Sequence, residues 1–114
     1  MRIDIKGRNV TVGDELRERV EKKFAKIGRQ VSEPAELEVE LREERNPSIR
    51  EACVAEGTLH LKGTTLRACE RSDDMPHSVN LLAEDLHRQV KRHRDKRRGR
   101  RHQASRAQPQ PGAP

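Results

Sequence analysis

Phe24 is the only aromatic residue in this chain of 114 residues, which contains neither Tyr nor Trp. Hydrophobic residues make up 31% of the chain, well below the share in an average globular domain, and charged residues make up 39%. The core must therefore be small and aliphatic. The length suits one folded unit with possible tails.

The sequence shows no membrane or secretion signal. No apolar run is long enough to span a bilayer, and the segment from Met1 to Lys6 lacks the apolar centre of a signal peptide. Two cysteines without such a signal favour a reducing compartment over a disulfide scaffold. We therefore predict a cytoplasmic protein without a membrane partner, and we exclude a secreted knottin and a large enzyme.

Apolar periodicity predicts six elements in the order β-α-β-β-β-α. Alternating residues predict four strands, and apolar residues at steps of three or four predict two helices. Gly28 is the predicted end of the first helix, and Pro76 lies in the first turn of the second, where its missing N–H needs no partner. The strands are expected at 2–6, 36–41, 53–61 and 66–70, and the helical stripes at 16–27 and 79–90.

This order predicts an α+β fold, a two-layer sandwich in which two helices cover one face of a four-stranded, mostly antiparallel sheet. The other face would carry Glu36, Glu38 and Glu40 and remain in water. The outline is close to that of a double-stranded-RNA-binding domain, whose usual order is α-β-β-β-α.

No group of residues predicts catalysis or metal binding. Pairing Leu61 with Leu66 in a hairpin places Cys53 and Cys69 on opposite faces of the sheet, so we expect neither a shared metal site nor a disulfide. The sequence has no Gly-rich phosphate loop and no plausible catalytic triad. We therefore predict that the protein is not an enzyme and takes no cofactor, metal or small-molecule substrate.

Charge is divided unevenly along the chain. Residues 1–87 hold 15 Lys and Arg against 18 Asp and Glu, whereas residues 88–114 hold 10 against one. A mildly acidic body with a strongly basic end predicts a polyanionic partner, most often nucleic acid. The alternative is a tail that only keeps the protein soluble. We predict a folded domain at 1–96 and a basic, Pro-containing disordered tail at 97–114.

Basic residues cluster on both predicted helices. On the first, Lys22 can pair with Glu18 on a solvated face, so a structural role stays open beside a functional one. On the second, few acidic neighbours are available and the basic side faces away from the apolar stripe. Without an aromatic platform for bases, recognition would depend on phosphate contacts and RNA shape. The clustered residues are Lys22, Lys23, Lys26 and Arg29 on the first helix and Arg88, Lys91, Arg92 and Lys96 on the second.

Four segments together resemble the ribosome hibernation-promoting factors, a family that includes protein Y and the sigma-54 modulation proteins. No single motif is decisive, but the joint order and spacing are specific, and the resemblance covers residues 1–96. The segments are Ile5–Val10, Leu16–Lys23, Leu66–Met75 and Leu86–Val90.

The resemblance implies a cytoplasmic bacterial protein that binds the small ribosomal subunit and its 16S-type rRNA. It implies a position in the channel for mRNA and the A- and P-site tRNAs, and inhibition of translation in stationary phase or stress. We expect a monomer when free. The implied rRNA-binding residues are Lys23, Lys26 and Arg29 on the first helix and Arg88, Arg92 and Lys96 on the second, to which we add Lys91 for its charge and position.

Two departures from the family leave parts of this expectation open. Pro76 stands where the family usually has Tyr, and no second, ribosome-dimerising domain follows. The chain is therefore either a short form or the N-terminal part of a longer one. The alternative functions are an RNA chaperone or dsRNA-binding protein acting off the ribosome, and a regulator of a sigma factor.

Overall fold

Six elements make up the fold, in the order that the sequence predicts. The computed structural model describes residues 1–31, 34–45 and 50–106, with side chains as far as residue 96. The elements are β1 (Arg2–Arg8), α1 (Asp14–Gln30), β2 (Glu36–Glu43), β3 (Cys53–Leu61), β4 (Thr64–Ser72) and α2 (Met75–Arg106).

The four strands form one sheet in the order β1-β2-β3-β4. β1 and β2 are parallel, because α1 crosses over the sheet between them, whereas β3 and β4 are each antiparallel to the preceding strand. Among the described residues, no helix carries an apolar stretch long enough to cross a bilayer.

The core lies between both helices and one face of the sheet, which confirms the predicted two-layer α+β architecture. Phe24 is fully buried, and so are the leucines that alternate along β2 and β3. Burying one stripe per helix and one face per strand stabilises the fold through the hydrophobic effect. The cluster includes Val20, Phe24, Ile27, Leu37, Val39, Leu41, Leu59, Val79, Leu82, Leu86 and Val90.

Two local predictions were wrong. α1 does not end at Gly28 but continues to Gln30, since a single glycine is tolerated within a helix. The β3–β4 hairpin closes over two residues only, since Gly63 adopts the left-handed region at φ 80°. Leu66 therefore pairs with Leu59. Compared with the predicted pairing of Leu61 with Leu66, the register of β4 shifts by two residues, so every side chain of β4 stays on its predicted face of the sheet.

α2 continues to Arg106, ten residues beyond the boundary predicted at residue 96. Residues 97–106 contain no Pro and one Gly, and Arg is a good helix former. Val90 is the last core residue of α2 in the part whose side chains are described. The division into a domain at 1–96 and a tail at 97–114 stays a prediction, and residues 107–114 lie outside the described residues.

Candidate nucleic-acid interface

The two helices run side by side in the same direction. Near the end of α1, Gly28 lies against Met1, so α1 returns to the beginning of β1. α2 starts after Ser72 and runs back along β4, because the Gln89 side chain donates to the carbonyl of Arg67 at 2.8 Å. β1 and β4 point the same way, since one parallel and two antiparallel pairings separate them. Both helices are therefore antiparallel to these strands and parallel to each other.

Parallel packing points the basic halves of both helices towards the same end of the domain. The acidic residues of α1 all lie before Lys22, and residues 86–96 of α2 hold five Lys and Arg against one Asp. Cations at the C-terminal end of a helix also interact favourably with its dipole. We call the combined set the helical basic surface. Its exposed residues are Lys22, Lys23, Lys26 and Arg29 of α1 and Arg88, Lys91, Arg92 and Lys96 of α2.

This surface curves around both helices. Lys23 faces the groove between the helices, which Met75 and Pro76 also line. On α2, Gln89 faces β4, so Arg92 and Lys96, three and seven residues later, lie on the β4 side. Lys91 lies on the opposite side, towards α1.

The helical basic surface and the sheet differ in whether their cations form ion pairs. Within the described residues, the ion pairs lie on the sheet face that points away from the helices, which we call the open face. Some link neighbouring strands, and others join residues two apart in the sequence. Arg42 contacts Glu56 at 2.7 Å, and Arg8 contacts Glu40 at 3.7 Å. Lys22 forms no ion pair with Glu18 in this part of the chain, and both roles considered for this lysine stay predictions. The cations of the helices remain available for an external anion.

Two further arginines beside this surface were not predicted from the sequence. Arg19 is exposed and lines the groove between the helices, four residues before Lys23. Arg94 is half-buried and follows Val90 by one turn. Arg19 precedes Lys23 by four residues and Arg94 follows Lys91 by three, so helical spacing was the available signal.

Polar contacts hold the start of α2 on the sheet. The buried Ser78 hydroxyl donates to the Cys53 carbonyl at 2.7 Å and lies 2.7 Å from the Ser72 hydroxyl. A carboxylate oxygen of Asp74 accepts from the N–H of His77 at 3.0 Å, as an N-cap does. These contacts fix the rotation of α2 and thereby the direction of its cations.

A carboxyl pair lies beside Arg88. Burial, together with a hydrogen bond to Asp85, raises the pKa of Glu70, and the charge of Arg88 opposes that shift. The Gln89 side chain also donates to Asp85 at 3.1 Å. The side chain of Arg88 itself remains exposed.

The cysteines do not form a site. Cys53 and Cys69 are free thiols on opposite faces of the sheet, as the sequence predicts. Burial raises the pKa of the Cys53 thiol. The part of the chain that the structure describes contains no group of His, Cys, Asp and Glu residues arranged to hold a metal ion.

A family model matches nearly the whole ordered core. Residues 3–98 match the model described as Sigma 54 modulation protein / S30EA ribosomal protein. The chain is 34% identical over 96 residues to a Salmonella typhimurium protein named ribosome hibernation promoting factor, covering 84% of this chain and 96% of that protein. It is 32% identical to a Staphylococcus aureus protein named ribosome hibernation promotion factor, but it spans only 48% of that longer relative.

Solved structures share the fold. The N-terminal domain of Thermus thermophilus protein Y superposes with a TM-score of 0.72 at 29% identity, covering 81% of this chain and 98% of that one. A ribosomal subunit interface protein from Coxiella burnetii superposes with a TM-score of 0.71 at 24% identity, covering 83% and 99%. The second likeness shows the fold alone.

Proposed function

Because the chain belongs to the Sigma 54 modulation protein / S30EA ribosomal protein family, we propose that it is a ribosome hibernation factor that binds the small ribosomal subunit through its helical basic surface. The names of its Salmonella and Staphylococcus relatives support the hibernation function. The family is not known for enzymatic activity, and binding alone is sufficient for such a factor.

The observation that carries this proposal is the parallel packing of two basic helix halves without intramolecular ion pairs among the described residues. Exposed cations on one surface bind a phosphate backbone through counterion release and need no base stacking. Phe24, the single aromatic residue, is fully buried and cannot stack on a base. The surface therefore suits folded rRNA, whose shape and phosphates supply the contacts.

The finer statements belong to the same proposal. The protein binds 16S-type rRNA in the channel for mRNA and the A- and P-site tRNAs, and it thereby inhibits translation in the cytoplasm under stress or in stationary phase. It acts as a monomer when free. The rRNA-binding residues are Lys23, Lys26, Arg29, Arg88, Lys91, Arg92 and Lys96.

Neutralising the α2 side of the surface tests the proposal. We expect Arg88→Gln, Arg92→Gln and Lys96→Gln together to weaken binding to small subunits strongly, because three phosphate contacts are lost. The melting temperature should change little, since these side chains are exposed. Co-sedimentation with small subunits at several salt concentrations measures the effect.

The matched control removes the same charge elsewhere. Arg2→Gln, Lys6→Gln and Arg8→Gln change three exposed cations on the open face of β1 and should leave binding nearly intact. Equal affinity of the α2 variant and the wild type would refute the helical basic surface. Binding that excess duplex RNA abolishes would favour the alternative, a dsRNA-binding protein acting off the ribosome.

A further inference from the structure

The two halves of the open face differ in whether their arginines have carboxylate partners. On β1 and β2, each arginine stands beside a carboxylate: Arg2 lies 4.0 Å from Glu36, and Arg8 lies 3.7 Å from Glu40. These pairs compensate one another on that half of the face. Lys6 also lies on this face, in register with Glu40. The four cations of β1 and β2 are therefore balanced by four carboxylates on the same face, namely Asp4, Glu36, Glu38 and Glu40.

The β4 half of the same face is different. Arg67 and Arg71 are exposed, and the cross-strand register places them opposite the uncharged Thr58 and Val54. The nearest acid in the row between them, Glu56, is engaged with Arg42 at 2.7 Å. Within the described residues, neither β4 arginine has a carboxylate partner within ion-pair distance.

The edge of β4 joins these arginines to the helices. Gln89 of α2 donates to the backbone carbonyl of Arg67, so the helix lies directly along this edge. Arg92 and Lys96 follow on the same side of α2. Cations therefore stand on both sides of one sheet edge, two on the open face and two on the helix.

Two carboxyl groups also face this edge from the helix side. Glu70 is half-buried and hydrogen-bonded to Asp85, which also accepts from Gln89. The two carboxyl groups thus form hydrogen bonds with one another and with Gln89 of α2. They do not lie on the open face with Arg67 and Arg71, because successive residues of a strand point to opposite faces.

We propose that the RNA-binding surface wraps around the β4 edge, so that Arg67 and Arg71 bind phosphates of the rRNA on the open face of the sheet. This inference rests on the proposed function and extends its binding site beyond the helices. The occupant is an RNA backbone, because unpaired guanidinium groups in a row recognise phosphates bidentately.

A double variant and a matched control test the wrapped surface. Arg67→Gln with Arg71→Gln should weaken small-subunit binding and make the log–log salt dependence shallower by about 1.5, at about 0.7–0.9 per lost phosphate contact. Arg2→Gln with Arg8→Gln removes the same charge from the same face and should leave the slope unchanged. An unchanged slope for the β4 variant, or an equal change in both, would overturn the inference.

The natural thiol of Cys69 gives a second measurement. Cys69 is exposed between Arg67 and Arg71 on the open face, whereas burial keeps Cys53 less reactive. A photoactivatable crosslinker on Cys69 should form an adduct with rRNA in the small-subunit complex. A crosslinker on Glu38→Cys, in a Cys69→Ser background, should not. Adducts with ribosomal proteins alone, or no adduct, would contradict RNA contact at β4.

The two proposals fail in different ways. If wild-type protein does not bind small subunits, the proposed function fails, and this inference fails with it. If wild-type protein binds and the α2 triple variant does not, while the β4 variant binds as well as wild type, only the wrapped surface is refuted.

Discussion

At the scale of single residues, stability concentrates in few side chains because the chain has little apolar material. Phe24 has 0% exposure and contributes the largest apolar side chain of the core. Deleting a large buried side chain removes its transfer free energy and leaves a cavity that the surroundings fill only partly.

We therefore expect Phe24→Ala to lower the free energy of unfolding by about 3–5 kcal/mol. Urea denaturation followed by circular dichroism measures the change. Leu16→Ala, in the same stripe but only half-buried, should cost clearly less. A loss below about 1 kcal/mol for Phe24→Ala would be incompatible with a tightly packed site at this position.

At the scale of elements, the sequence predicted best where one short pattern decides the structure. Glu36–Leu41 alternates strictly, and its three apolar residues are buried as expected. Gly28 was mistaken for a helix end because glycine is common at helix ends, although a single glycine is also tolerated within a helix. The predicted register of the β3–β4 hairpin was wrong because the sequence alone does not show which two residues form the turn.

The candidate site was also predictable only in the features that short sequence patterns determine. The charged side of each helix follows from helical spacing, and all seven predicted rRNA-binding residues are exposed. The parallel packing that joins the two sides depends on the sheet topology. The pairing of Arg8 and Arg42 with glutamates depends on cross-strand register. Single-sequence patterns carry neither kind of information.

Two glycines that flank the β1–α1 connection should respond oppositely to substitution. A Cβ at Gly7 would lie 2.5 Å from the carbonyl oxygen of Val10, so the connection would have to move. We expect Gly7→Ala to cost about 1–3 kcal/mol of stability, as overpacking does. Gly13 is the N-cap of α1 and has open space around it, so Gly13→Ser should instead gain a few tenths of a kcal/mol.

Thermal or urea denaturation of both variants checks this prediction. The two substitutions lie on either side of one loop and each adds a small side chain. A destabilised Gly13→Ser variant, or a Gly7→Ala variant as stable as the wild type, would show that the loop does not constrain the start of α1 as described.

At the scale of the whole molecule, two kinds of surface are kept apart. On the β1 and β2 half of the open face, cations are balanced by carboxylates, whereas the described cations on the helices and at the β4 edge form no ion pairs. This arrangement presents positive charge to a partner without making the folded body strongly basic, since residues 1–87 carry more acids than bases. The remaining excess lies in the last part of the chain. Residues 97–114 contain five arginines and no acid.

The basic end should therefore strengthen the electrostatic attachment of a domain that already binds through its helices. If its five arginines each meet a phosphate, deleting residues 97–114 should make the log–log salt dependence of small-subunit binding shallower by roughly 3.5–4.5, at about 0.7–0.9 per contact. The fold should survive, because Val90 is the last core residue of α2 in the part whose side chains are described. Deleting only 107–114, which contains no charged side chain, is the matched control and should leave the slope unchanged. Equal slopes for the full chain and both truncations would mean that the basic end only keeps the protein soluble.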